Sequence, residues 1–156
     1  MTTGKVQVGG IHHVSRSVGD MERSLCFYRD LLGLEVALDT EMSGDMLERE
    51  VGLDGARLRL VELATGPGEA MLELLEYSSP PPDASTRLRP CDVGAHHVAV
   101  LVNDIEEAYQ HLDAAGVRFT CPPQEVDAGY FRGHRTAYCF DPDGQILELW
   151  QTVHED

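Results

Sequence analysis

The chain has 156 residues, enough for one compact domain with a buried core. Its 27 Asp and Glu against 12 Lys and Arg leave a net charge of −15, which repels phosphate backbones and argues against a nucleic-acid partner. No stretch approaches the length of a membrane span and MTTGKVQVGG has no apolar signal core, so a cytoplasmic protein without a membrane partner is expected. Cys26, Cys91, Cys121 and Cys139 are scattered without CxxC spacing, which suits reduced thiols.

The first predicted element is a strand at GIHHV, Gly10 to Val14. A helix follows, with Asp20 at its N-cap and Met21, Leu25, Tyr28 and Leu32 at helical spacing. Gly33 falls where a C-terminal glycine releases the helix into a second strand. After the acidic stretch EMSGDMLEREVGLDG (Glu41 to Gly55), two strands, ARLRLVEL and AMLELLEY, flank the turn ATGPGE. The proline-rich SSPPPDASTRLRPCDVG reads as a linker.

GAHHV, Gly94 to Val98, then restarts the plan. Asp104 and Glu107 form an acidic capping box, and Ile105, Ala108, Tyr109 and Leu112 recur at helical spacing. Gly116 ends that helix before a second strand, and TAYCF and QILELW flank the turn DPDG. The chain is therefore α+β: two tandem β-α-β-β-β modules, at about 8–78 and 94–152, joined by a linker at about 79–93 in a single domain. Residues 41–55 are the extra length of the first module and are expected to form a lid or a dimer contact.

Neighbours on a strand face opposite sides. In the second module His96, Val98, Val100 and Val102 share the face that packs on a helix, which leaves His97 on the other. In the first, Val14 and Val18 side with His12 and Arg16, which leaves His13 with Ser15 and Ser17. Glu73 interrupts Leu72 and Leu74, and Glu148 interrupts Leu147 and Leu149, each on the face away from the leucines. The second histidine of each pair and these two glutamates thus occupy repeat-equivalent positions on the helix-free face. Two inward carboxylates are costly without a cation, and two imidazoles with two carboxylates suit a transition metal. One divalent metal ion on His13, Glu73, His97 and Glu148 is expected.

The segment VDAGYFRGHRTAY, Val126 to Tyr138, concentrates aromatics and arginines. It reads either as a substrate clamp, with Tyr138, Arg135 and His134 as contacts, or as a solvated loop. Arg57 and Arg59 share one strand face. On the concave side they would hold a substrate carboxylate or phosphate, and on the outer side they would serve solubility.

HHVxxxVxDxxxSxxFYxxxLG followed by DPDGxxxEL resembles the vicinal oxygen chelate superfamily, over both modules from about His13 to Trp150. That superfamily includes glyoxalase I, methylmalonyl-CoA epimerase, extradiol dioxygenases and the bleomycin and fosfomycin resistance proteins. The resemblance implies paired modules forming a cupped sheet around a metal, with ligands at His13, Glu73, His97 and Glu148, and a homodimer. The His/Glu/His/Glu set is similar to that of bacterial glyoxalase I. It implies a metal-dependent lyase or isomerase, using nickel, cobalt, zinc or manganese, that acts on a small molecule with adjacent oxygens through a metal-bound enediolate. Glu148 or Glu73 would be the base, and both are candidate catalytic residues.

Ser17 and Tyr77 stand where glyoxalase I carries its glutathione-reading arginine and asparagine. The strands ARLRLVEL and AMLELLEY resemble those of the epimerase instead, although Glu73 replaces its usual glutamine. The same resemblance implies, as alternatives, an iron(II) ring-cleaving dioxygenase using His13, His97 and Glu148 beside Tyr138, and a non-catalytic ligand-binding resistance protein.

Overall fold

The computed structural model describes residues 4–83 and 88–153, so the middle of the expected linker, 84–87, lies outside the described residues. The chain divides into two units, Met1–Pro82 and Asp83–Asp156, each built on its own four-stranded mixed sheet. Unit one runs β1 (His13–Ser17), α1 (Met21–Leu25), β2 (Glu35–Ser43), α2 (Asp45–Val51), β3 (Arg57–Ala64) and β4 (Met71–Ser79). Unit two runs β5 (His97–Leu101), α3 (Ile105–Ala114), β6 (Gln124–Glu125), β7 (Arg135–Phe140) and β8 (Ile146–Gln151).

Both sheets have one topology, β1-β4-β3-β2 and β5-β8-β7-β6, with the first pair parallel and the rest antiparallel. The consequence for function is direct. The strand that begins each module lies beside the strand that carries its interrupting glutamate.

The helices begin where their caps dictate. Asp20 accepts a hydrogen bond from the Arg23 backbone N–H, and Asp104 accepts from those of Glu106 and Glu107. The first helical N–H of each goes elsewhere: Met21 donates to Glu76 Oε1 at 3.2 Å, and Ile105 donates to Gln151 Oε1 at 2.9 Å. Those acceptors lie three residues beyond Glu73 and Glu148, so the same side-chain position ties each helix start to its glutamate-bearing strand. Gly33 and Gly116 end the helical segments with φ of 77° and 83°, a left-handed conformation that glycine adopts without strain.

The alternation of the sheets follows the sequence pattern. Val61, Leu63, Leu72 and Leu74 are at most 2% exposed, as are Leu147 and Leu149 in unit two. Burying one such side chain stabilises by about 1.5–3 kcal/mol. Arg16 belongs to the same buried face and is 1% exposed, its guanidinium donating to the Tyr28 hydroxyl at 3.1 Å. That hydroxyl is one of the partners that hold the arginine in a valine-like position.

Two expectations change, and the segment at 41–55 takes a defined structure. The first helix passes at Cys26–Leu31 into a π-helical turn, with Leu32 N–H donating to Phe27 and Leu34 N–H to Tyr28. The wider turn carries Phe27 into the core and leaves Leu32 half-exposed. In unit two the strand expected after Gly116 is reduced to a single bridge between Phe119 and Cys139, and the edge strand forms later, at Gln124–Glu125. The stretch 41–55 finishes β2 and then forms α2, whose Leu47 packs with Ala56 and Leu58 against Met42, Val51, Leu60, Leu75 and Tyr77. Leu58, Leu60, Leu75 and Tyr77 share the face of Glu62 and Glu73. The extra segment therefore covers one end of that face with apolar side chains.

Candidate metal centre

Parallel pairing of β5 with β8 sets Ala99 opposite Glu148 and brings His97 onto the same face. His97 Nε2 lies 3.1 Å from Glu148 Oε2, with the imidazole 43% exposed and the carboxylate only 8%. The other oxygen, Oε1, accepts the Thr136 hydroxyl at 2.5 Å. Tyr138 is the cross-strand partner of Glu148, and its hydroxyl approaches His97 Nε2 at 3.5 Å. Burial, and next the Glu148 charge, push the Tyr138 phenol above its usual value, so it remains a neutral donor.

Unit one repeats the arrangement. β1 pairs with β4 so that Ser15 lies opposite Glu73, and His13 Nε2 lies 3.7 Å from Glu73 Oε1. Here the cross-strand partner of the buried glutamate is a second carboxylate, Glu62, at the position that Tyr138 holds in unit two. One ring nitrogen each of His12 and His13 and one Glu62 oxygen all lie within 4.8 Å of one another.

The donor chemistry fits a divalent cation. Among the described residues neither Glu73 nor Glu148 is paired with a lysine or arginine; each faces an imidazole nitrogen. A buried carboxylate is costly unless hydrogen bonds and a cation complete it. Two like charges directly opposite on adjacent strands, as at Glu62 and Glu73, add to that need.

The other expected contacts divide between two faces. Tyr138 lies with His97 and Glu148. His134 accepts the Trp150 indole N–H on Nδ1 at 3.1 Å, and Phe131 packs on both rings. Trp150 alternates with Glu148 and so extends the same face. Arg135 lies on the opposite face, ion-paired to Glu106 of α3. Arg59 also lies opposite, held by Asp39 and by Glu22 of α1 at 2.7 and 2.6 Å, and exposed Arg57 shares its face. Of the two faces open to Arg57 and Arg59, the structure shows the one away from His13 and Glu73.

Thr136, Trp150 and Glu62 escaped the sequence reading. All three share parity with a candidate ligand or its hairpin partner, and the cross-strand register would have exposed them. The strands begin at His13 and His97, so alternation does not govern the preceding residue. His12 is exposed rather than turned under the helix, with its Nδ1 3.0 Å from His13 Nδ1. His96 instead lines a small cavity with Asp143, Gln145 and Ile146.

The family profile described as Glyoxalase/Bleomycin resistance protein/Dioxygenase superfamily matches residues 10–149. The chain is 35% identical, over 89% of its length and 77% of the relative's, to a 2-epi-5-epi-valiolone epimerase from an Actinomyces species. A glyoxalase family protein from Bacillus cereus shares the fold with a TM-score of 0.83 at 21% identity, covering 99% of each chain. The trypanothione-dependent glyoxalase I of Leishmania major aligns with a TM-score of 0.62 at 25% identity, over 92% of this chain and 87% of that one.

Proposed function

Because the chain belongs to the glyoxalase/bleomycin resistance protein/dioxygenase superfamily, we propose that it is a divalent-metal-dependent isomerase of the epimerase type, assembled as a homodimer. It moves a proton at a carbon next to a carbonyl in a small substrate with adjacent oxygens. The observation that carries this reading is the His97–Glu148 pair at 3.1 Å with its repeat at His13 and Glu73, an imidazole over a buried carboxylate in each module.

His13, Glu73, His97 and Glu148 are the residues that would hold the cation. When bound, the cation supplies Lewis-acid polarisation of two adjacent substrate oxygens. Glu148 or Glu73 takes the proton as the C–H bond breaks, and the electron pair moves into the neighbouring carbonyl. Return of a proton to the other side of that carbon gives the epimer. The neutral Tyr138 hydroxyl is placed to donate to a substrate oxygen beside Glu148. The shelf of Trp150, Phe131 and His134 gives a ring or carbon chain an apolar surface along the same face.

The epimerase relative supports this choice over the lyase. Protein loaded with nickel, cobalt, zinc or manganese, incubated with 2-epi-5-epi-valiolone in D2O, is expected to place deuterium next to the carbonyl. Glu148→Gln should abolish the exchange. No exchange with any of the four metals would overturn the epimerase reading.

One observation favours a second reading. The Tyr138 hydroxyl beside His97 suits an iron(II) dioxygenase, with Glu148 and the two histidines as ligands. Oxygen uptake on adding catechols to the iron-loaded protein, together with no proton exchange, would favour it.

A further inference from the structure

A histidine that binds a metal through Nε2 must carry its ring proton on Nδ1, and the group that accepts this proton sets the tautomer and the ring's direction. In unit one the His13 Nε2 side faces Glu73, while Nδ1 lies 3.0 Å from His12 Nδ1. The two rings stand edge to face, at 88°, with centroids 5.2 Å apart. The backbone of His12 is held as well, because its carbonyl accepts the Met71 N–H at 2.9 Å. If His13 Nδ1 donates, His12 Nδ1 must accept, and the His12 proton then resides on Nε2. Glu62, an acceptor only, stands within 4.8 Å of both rings and shares no hydrogen bond or ion pair with any other described residue. An anion there favours neighbours that present N–H rather than lone pairs.

We infer that His12 is a positioning residue: it accepts the His13 Nδ1 proton, and with Glu62 beside it holds the His13 Nε2 lone pair toward Glu73. This rests on the metal reading above. It also separates the two HH pairs, since His96 lies beside the Asp143–Gln145 turn and Tyr138 stands where unit one has Glu62. The first histidine thus has a task in one module only.

Two measurements test it. Long-range proton–nitrogen NMR of histidine-labelled protein, metal-free and zinc-loaded, should show His13 protonated on Nδ1 and His12 on Nε2 in the loaded form. Cobalt titration should show His12→Ala binding about 10–100-fold more weakly at unchanged stoichiometry. His12→Asn, whose side-chain oxygen replaces the Nδ1 acceptor, should recover most of the loss. Wild-type affinity in His12→Ala would overturn the inference. Loss of a whole equivalent of cobalt would also overturn it, because His12 would then be a ligand. Wild-type protein that binds no cobalt but shows His13 protonated on Nδ1 would sink the metal reading and leave the His12–His13 assignment standing.

Discussion

Thr136 donates its hydroxyl proton to Oε1 of Glu148, the one carboxylate oxygen that His97 does not face. The bond leaves Oε2 directed at the His97 Nε2 and fixes the plane of the carboxylate. Supporting bonds of this kind typically carry about 10–100-fold in metal affinity. Thr136→Val keeps the shape and removes the donor. It is expected to weaken cobalt binding within that range while the far-ultraviolet circular dichroism stays unchanged. Unaltered affinity would mean the hydroxyl does no more than satisfy a buried oxygen.

Arg59 bridges Glu22 of α1 and Asp39 of β2 on the face away from His13 and Glu73. The two ion pairs tie the helix to the sheet. The Arg59 guanidinium holds the Asp39 carboxyl below its ordinary value. A carboxyl depressed in the folded state contributes stability at neutral pH and loses it as pH falls through the depressed value. The pair is partly solvated, so its worth is about 0.2–1 kcal/mol. Arg59→Met should lose that amount at pH 7 in urea unfolding, converge with wild type under strong acid, and keep wild-type metal affinity and proton exchange. A collapse of exchange with stability intact would restore Arg59 as a substrate contact.

Tyr28 is fully buried and accepts from the equally buried Arg16 at 3.1 Å. Tyr28→Phe takes one acceptor from a guanidinium that cannot reach water, at an expected cost of about 1–3 kcal/mol. For a chain of this size each kcal/mol lowers Tm by about 2–4 °C. A thermal melt within error of wild type would show that the remaining partners of Arg16 suffice.

Much of this architecture was legible in the residues because the chain states its plan twice. The caps at Asp20 and Asp104, the stops at Gly33 and Gly116 and the DPDG turn are local signals, and local signals survive folding. In that turn Asp141 accepts from the Asp143 and Gln145 N–H groups, as its sequence suggests. The face shared by His13 and Glu73 in unit one, and that shared by His97 and Glu148 in unit two, were legible for the same reason, since alternation along a strand needs no knowledge of its neighbours. What escaped depends on neighbours. Glu62 and Thr136 gain meaning only from cross-strand register, and the sides taken by Arg59 and Arg135 depend on which face the helix covers. The π-turn at Cys26–Leu31 shifts a helical pattern by one residue, which spacing alone does not reveal. His12 was misplaced because strand logic was extended one residue beyond the strand.

The most direct measurement is the metal content of protein purified without chelators, with His97→Ala and His13→Ala as controls. About one nickel, cobalt, zinc or manganese per chain, lost in both controls, is the predicted result for a site that needs both pairs. Metal retained in both variants, or none in wild type even after reconstitution, would contradict it and leave a ligand-binding protein in place of an enzyme.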